Sequence, residues 1–331
     1  MMLTLKVHHN AENLYYSTYD TTFQVYLLTA NQNCDCVSVH LDIPSHRRHM
    51  VFENSTRWVY IHVHIYIYMS RIPVFVIVHN QYEILKKAVS SYENCIKTPI
   101  EIVFHDVCST YFETIDYLNG RKKEGYAVYH SRKNDHHTVM DSVNHYIKEH
   151  PQCKYVVITD PDIELNEVNG DILEFYIYLL NRLNKTSIGP MLKIDDIPDE
   201  YHNKEAAIAG HSRQFWNKPK RSISFRNRRY EYIECRTDTT FQLFSTENIP
   251  RRFPHGNSIR TLRPYDARHL DWYINPNQLS PCQLYYMNNT SKISHWNNRN
   301  WKGKYHNKEL NIVNGSFERK HKYVYYYDEC E

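Results

Sequence analysis

Residues 154–164 read Lys-Tyr-Val-Val-Ile-Thr-Asp-Pro-Asp-Ile-Glu, an apolar, β-branched run that ends on two carboxylates one residue apart. So apolar a run fits a strand buried on both faces, and its polar end has to reach an open edge of the sheet. In a regular strand residues i and i+2 project to one side. Pro161 has no N–H and turns the chain, so Asp160 and Asp162 converge beyond the strand instead of joining a ladder. Two hard oxygen ligands suit Mg²⁺ or Mn²⁺ and leave coordination positions for the phosphates of a substrate. Taken alone, the tripeptide is better explained as a solvated acidic turn, and only its setting favours a metal.

That setting is an alternation of strands and helices. Residues 72–80 form a second buried strand, and 81–92 carry Ile84, Leu85, Ala88 and Val89 at helical spacing. Residues 99–106 are a third strand, ending on Asp106. A helix over about 111–118, a short strand over 126–129 and a helix over 138–149 lead into the acid-ended strand. A helix over 171–183 then precedes a strand that begins at Ser187 and runs into an acidic loop holding Asp195 and Asp196. The pattern predicts an α/β fold with a mostly parallel sheet covered on both faces. Ligands in such sheets bind beyond the carboxyl ends of the strands, so Asp106 and Asp160 are expected to share one cleft.

Composition narrows the chemistry. Only 8 glycines occur, and neither Gly-X-Gly-X-X-Gly nor a P-loop is present, so phosphate binding falls to the metal. The 8 cysteines lack paired Cys-X-X-Cys spacing and form no dense framework, which fits a reducing compartment, the cytoplasm. No charged-then-apolar segment opens the chain, and the longest apolar run, 58–69, is too short and too rich in histidine to span a bilayer. Residues 218–230 are basic and follow Phe215 and Trp216, a mixture that also describes single-stranded nucleic-acid binders. A net charge of only +3 argues against that class, and the stretch is otherwise expected to be a mobile charged loop near phosphate.

Further phrases follow in order: Thr237-Asp238-Thr239-Thr240-Phe241, Pro264-Tyr265-Asp266-Ala267-Arg268-His269-Leu270-Asp271-Trp272-Tyr273 and Ile293-Ser294-His295-Trp296. Together with the opening strand, Asp106 and Asp160-Pro161-Asp162, they resemble the GT-A fold nucleotide-sugar glycosyltransferases. The resemblance is to family 2-like enzymes, among them those of large algal DNA viruses, the chloroviruses, and it covers about residues 69–296. It implies a Rossmann-like nucleotide-binding half joined to an acceptor-binding half. It implies a metal-dependent, inverting transfer of a sugar from a nucleoside diphosphate, UDP first, to a glycan hydroxyl, with Mn²⁺ or Mg²⁺ as cofactor. On that resemblance His79, Asn80, Asp106 and Asp160 form the nucleotide-sugar pocket, although His79 stands where many relatives have proline. Asp160, Asp162 and His269 hold the metal, with His295 competing for the histidine role. Asp238, heading a β-run over 239–244, is the catalytic base. Asp266, Asp271 and Trp272 bind the acceptor, with Asp195 and Asp196 as secondary candidates. A nucleotidyltransferase would also use paired carboxylates, but the basic Gly-rich triphosphate loop it needs is missing.

The domain expectation is a catalytic domain over 69–300 and a tail or lid over 301–331. Residues 1–68 are rich in His, Tyr and Thr and end in an Ile/Tyr/His/Val alternation, the translation of an AT-rich dinucleotide repeat. They are expected to be a disordered extension, or absent if translation starts at Met69.

Overall fold

The computed structural model describes residues 71–201, 204–249, 257–275 and 277–289, and beyond these only the backbone of short strands between 3 and 63 and between 310 and 319. The chain divides into two units, Met1–Tyr68 and Met69–Glu331. In the first, the strands Asn13–Thr18, Thr21–Leu28, Cys36–Ile43 and His46–Glu53 pair antiparallel in chain order. The rest of the 1–68 extension, for which disorder is the expectation, and most of the 301–331 tail fall outside the described residues.

The second unit is built on a nine-stranded sheet. Its first half alternates β1 (Ile72–Val78), α1 (Tyr82–Cys95), β2 (Ile100–Val107), α2 (Phe112–Lys123), β3 (Ala127–Ser131), α3 (Val139–Glu149) and β4 (Tyr155–Thr159). The second half comprises β5 (Ile163–Glu164), α4 (Ile172–Leu183), β6 (Ser187–Pro190), α5 (Lys204–His211), β7 (Lys220–Phe225), β8 (Arg228–Glu234), β9 (Gln242–Ser245), β10 (Ser258–Thr261), β11 (Arg268–His269) and α6 (Pro281–Asn289). The sheet order is β7-β8-β10-β6-β9-β4-β1-β2-β3. Strands β3, β2, β1 and β4 are mutually parallel, whereas β9 and β8 run against their neighbours, so the sheet is mixed.

Strand β1 shows why the sheet lies inside. All seven residues are buried. Ile72, Val74, Val76 and Val78 pack with Leu85, Val89 and Tyr92 of α1, while Phe75 and Ile77 pack on the opposite face with Val139, Val143 and Tyr146 of α3. Each such side chain contributes roughly 1.5–3 kcal/mol on burial, several times what an exposed ion pair gives, so this two-faced core sets the position of the strand ends. The four parallel strands finish together at Val78, Val107, Ser131 and Thr159, and that edge carries the site. No helix among the described residues is long and apolar enough to cross a membrane.

The basic stretch is a hairpin and not a loop. Strands β7 and β8 pair through Arg226 and Asn227, both at positive φ (49° and 61°), as a two-residue primed turn requires. Arg226 pairs with Asp171 and Glu174, Arg221 with Glu234 and Lys220 with Glu231, while Arg229 Nε donates to the Ser222 hydroxyl.

Candidate active site

The acid pair is carried between two fixed supports. On one side, Asp160 N donates to Thr239 O (2.6 Å), and Phe241 N donates to the Thr159 hydroxyl (3.2 Å). On the other, β5 and β11 form a short antiparallel ribbon pairing Ile163 with His269, and Leu270 N donates to Asp162 O (2.6 Å). The Tyr92 hydroxyl, buried under the turn, donates to Ile163 O (2.6 Å). The ribbon brings together residues more than a hundred positions apart, leaving His269 Nε2 3.5 Å from Asp162 Oδ2.

Asp162 is 7% exposed, and its Oδ1 is buried with no hydrogen-bond partner. A buried acceptor without a donor costs about 1–3 kcal/mol, more when charged, which a cation would offset. Burial raises the Asp162 carboxyl to about 7. Burial, and then the charge of Asp162, push Asp160 well above its ordinary value, opposed by the Thr239 hydroxyl that donates to Asp160 Oδ2. Burial holds His269 below the ordinary imidazole value, in the neutral form that ligates metals. The donor set therefore fits a divalent cation, although Thr239 occupies one Asp160 oxygen and the three side chains stand wider than a closed ligand cage. Among the described residues the group whose ligand atoms all lie within 4.8 Å of one another is a different one, Asp135, His136 and His137.

Asp238 lies in the turn before β9, which begins at Gln242 and not at Thr239; Phe241, at φ 42°, breaks the expected run. Its side chain is 59% exposed, and its charge helps to raise both Asp160 and Asp162, so base candidate and acid pair lie near one another. Its Oδ1 accepts from Arg260 Nη2 (2.9 Å) and from the Thr240 hydroxyl. The surrounding protein would raise its pKa, but the charge and hydrogen bond of Arg260 outweigh that and hold the carboxyl below its ordinary value. Arg260 is itself buried, donating through Nη1 to Pro190 O (2.8 Å) and through Nε to Arg236 O (3.1 Å), with its guanidinium 4.6 Å above the Phe215 ring.

His79, Asn80 and Asp106 do meet at one corner, at the ends of β1 and β2, but their polar atoms serve the loops. Asn80, at φ 54°, accepts through Oδ1 from Thr110 N (2.6 Å) and Tyr111 N (2.8 Å). His79 donates through Nδ1 to Val107 O (2.9 Å) and accepts at Nε2 from Asn134 (3.2 Å). Asp106 accepts from Ser109 N (3.0 Å) and from His130 (3.1 Å). These hydrogen bonds tie together the loops that follow β1 and β2.

The acceptor assignments need correcting. Trp272 has no exposed surface and cannot offer a face to a sugar; it stacks on His269 (4.8 Å, 14°) and meets His211 edge-on, so it fixes the imidazole plane. Asp266 is 2% exposed and accepts from Arg263 Nε (3.1 Å). Asp271 is buried and accepts from Gln81 Nε2 (2.9 Å) at the start of α1. Asp195 is held bidentately by Arg263, and Asp196 by Arg268 Nε (2.8 Å) and the Tyr273 hydroxyl. Each carboxylate is spent on bracing the segment that delivers His269. His295 lies outside the described residues. Sequence reasoning missed Arg260, whose only signal is a cation inside the apolar-flanked run Ser-Ile-Arg-Thr, and the Asp135 to His137 group.

No protein-family model matches the chain, and no curated protein matches it. Among solved structures it is similar to the mannosyltransferase PcManGT from Pyrobaculum calidifontis in complex with GDP-Man and Mn²⁺ (18% identity, 38% of this chain and 36% of that one, TM-score 0.30). It is also similar to S. aureus TarS 1-349 (15% identity, 55% and 51%, TM-score 0.33). A third is glucosyl-3-phosphoglycerate synthase from Mycobacterium tuberculosis in complex with Mn²⁺ and UDP-glucose (13% identity, 43% and 51%, TM-score 0.28). The chain thus spans about a third to a half of each of those proteins. At such scores the functional reading rests on this chain's own residues.

Proposed function

We propose that the second unit is a metal-dependent glycosyltransferase of the GT-A type, moving a sugar from a nucleoside diphosphate, UDP first, to a glycan hydroxyl with inversion. The observation that carries the proposal is the buried Asp162, whose Oδ1 has no hydrogen-bond partner, beside Asp160 and His269 at the carboxyl ends of the sheet's four parallel strands. Asp160, Asp162 and His269 would hold Mn²⁺ or Mg²⁺, which when bound supplies positive charge against the leaving diphosphate. Thr239 and Trp272 orient two of those ligands. Asp238 lies near the acid pair as an ionised carboxylate and would take the proton from the acceptor hydroxyl as that oxygen attacks the anomeric carbon. Arg260 holds Asp238 in place at the cost of some of the carboxylate's basicity. A nucleotidyltransferase shares the acid pair but needs a basic, Gly-rich triphosphate loop, which this sequence lacks.

The test is turnover. Full-length protein, a panel of UDP- and GDP-sugars and Mn²⁺ are incubated, and release of nucleoside diphosphate is followed. Metal-dependent release from one donor, lost in Asp162→Asn and in Asp238→Asn, is expected. Release that survives both substitutions, or none with any donor, would sink the proposal.

A further inference from the structure

We infer that Asp135, His136 and His137 form a second divalent-cation site, distinct from the Asp160 and Asp162 pair and suited to a borderline ion such as Zn²⁺ or Co²⁺. One carboxylate oxygen and one nitrogen from each imidazole lie within 4.8 Å of one another, and all three residues are half-buried. Closing on an ion with bonds of about 2.1 Å asks for a contraction of about an ångström, within reach of side-chain rotation. The two rings already lie 4.0 Å apart, tilted by 40°.

The turn beneath them is braced from the core. Asp135 Oδ1 accepts from His137 N (2.9 Å), and the Thr138 hydroxyl donates to Asp135 O (2.7 Å) while accepting from His105 Nε2 (2.8 Å). His105 is buried and in turn meets the Ser142 hydroxyl at 2.8 Å. On the other side Asn134 is bonded to His79. Three consecutive residues would ordinarily fan apart; here the short 3₁₀ turn His136–Thr138, held at both ends, keeps their donor atoms together. Two imidazoles and one carboxylate rank Zn²⁺ and Co²⁺ above Mg²⁺, unlike the oxygen-rich acid pair, and three protein ligands leave positions open for an oxygen of substrate or solvent.

The competing explanation is an ordinary capped turn. Co²⁺ titration of the full chain carrying Asp162→Asn, read by visible absorption, separates the two. We expect one Co²⁺ equivalent that Mg²⁺ does not displace, weakened about tenfold or more by His136→Gln, by His137→Gln and by Asp135→Asn, with the metal-free Tm held. Asp135→Asn keeps a capping side chain while removing the ligand charge, so it loses metal without loosening the turn. Unchanged Co²⁺ affinity in the three variants would assign any binding to the chain's other histidines and overturn the site.

Discussion

Because Asp162 is taken out of water with no donor for its Oδ1, its carboxyl rises from 3.8 to about 7, and folding and metal binding then pull in opposite directions with pH. Between those two values the folded chain keeps a proton that the unfolded chain has released. The stability of the metal-free protein should therefore fall as pH rises through that window. A cation needs the ionised form, so the rise in Tm caused by Mn²⁺ should be larger at pH 8 than at pH 6. Thermal melts of the wild type and Asp162→Asn check both signs: the variant should lose the Mn²⁺ effect and show a shallower pH slope, the remainder coming from Asp160, and an Mn²⁺ effect that is largest at low pH would contradict the account. Arg260 gives a second residue-scale prediction. Replacing it by Met takes away the donor to the buried Pro190 carbonyl, at about 1–3 kcal/mol, and frees Asp238 to titrate at a higher pH. The acid limb of the kcat/KM profile should move to higher pH; a drop in rate with the limb unmoved would reduce Arg260 to a structural role.

Among the elements, β6 constrains the turn that carries Asp238. A Cβ on Gly189 would lie 3.1 Å from Thr240 O and 3.4 Å from Thr237 Cγ2, so Gly189→Ala must push that turn outward. Overpacking of this kind costs about 1–3 kcal/mol. Turnover should fall, and because Thr239 of the same turn holds Asp160, Mn²⁺-dependent nucleotide affinity should fall with it; kinetics and calorimetry on the one variant read both. In the hairpin, Asn227→Gly suits the φ of 61° and should leave stability level or raise it by a few tenths of a kcal/mol, measured by chemical denaturation. The contrast between these elements shows what was legible. Strands β1, β2 and β4 could be read because burial on both faces leaves continuous β-branched runs, and α1 because one buried face leaves a 3.6-residue period. Hairpin β7-β8 could not, since its outer positions are exposed and carry charges that pair only once Asp171, Glu174 and Glu234 are in place. The acid pair was legible as a motif, whereas the roles of Trp272, Asp266 and Asp271 were not: a motif gives residue type and order, and burial decides whether a side chain faces the cleft or braces its wall.

For the whole molecule, the sheet, the acid pair and Asp238 all belong to the unit Met69–Glu331. A chain beginning at Met69 should therefore fold and bind nucleotide as the full chain does. Circular dichroism and calorimetry on both lengths check this, and loss of either property in the shorter chain would assign the first 68 residues a part in the site. The central claim, that Asp160 and Asp162 form a cation-dependent nucleotide site, is tested most directly by calorimetric titration of UDP and GDP with and without Mn²⁺, on the full chain and on Asp162→Asn. The account predicts that one nucleotide binds only with Mn²⁺ and that Asp162→Asn abolishes it; nucleotide binding indifferent to Mn²⁺ and to Asp162, or no binding at all, would contradict it.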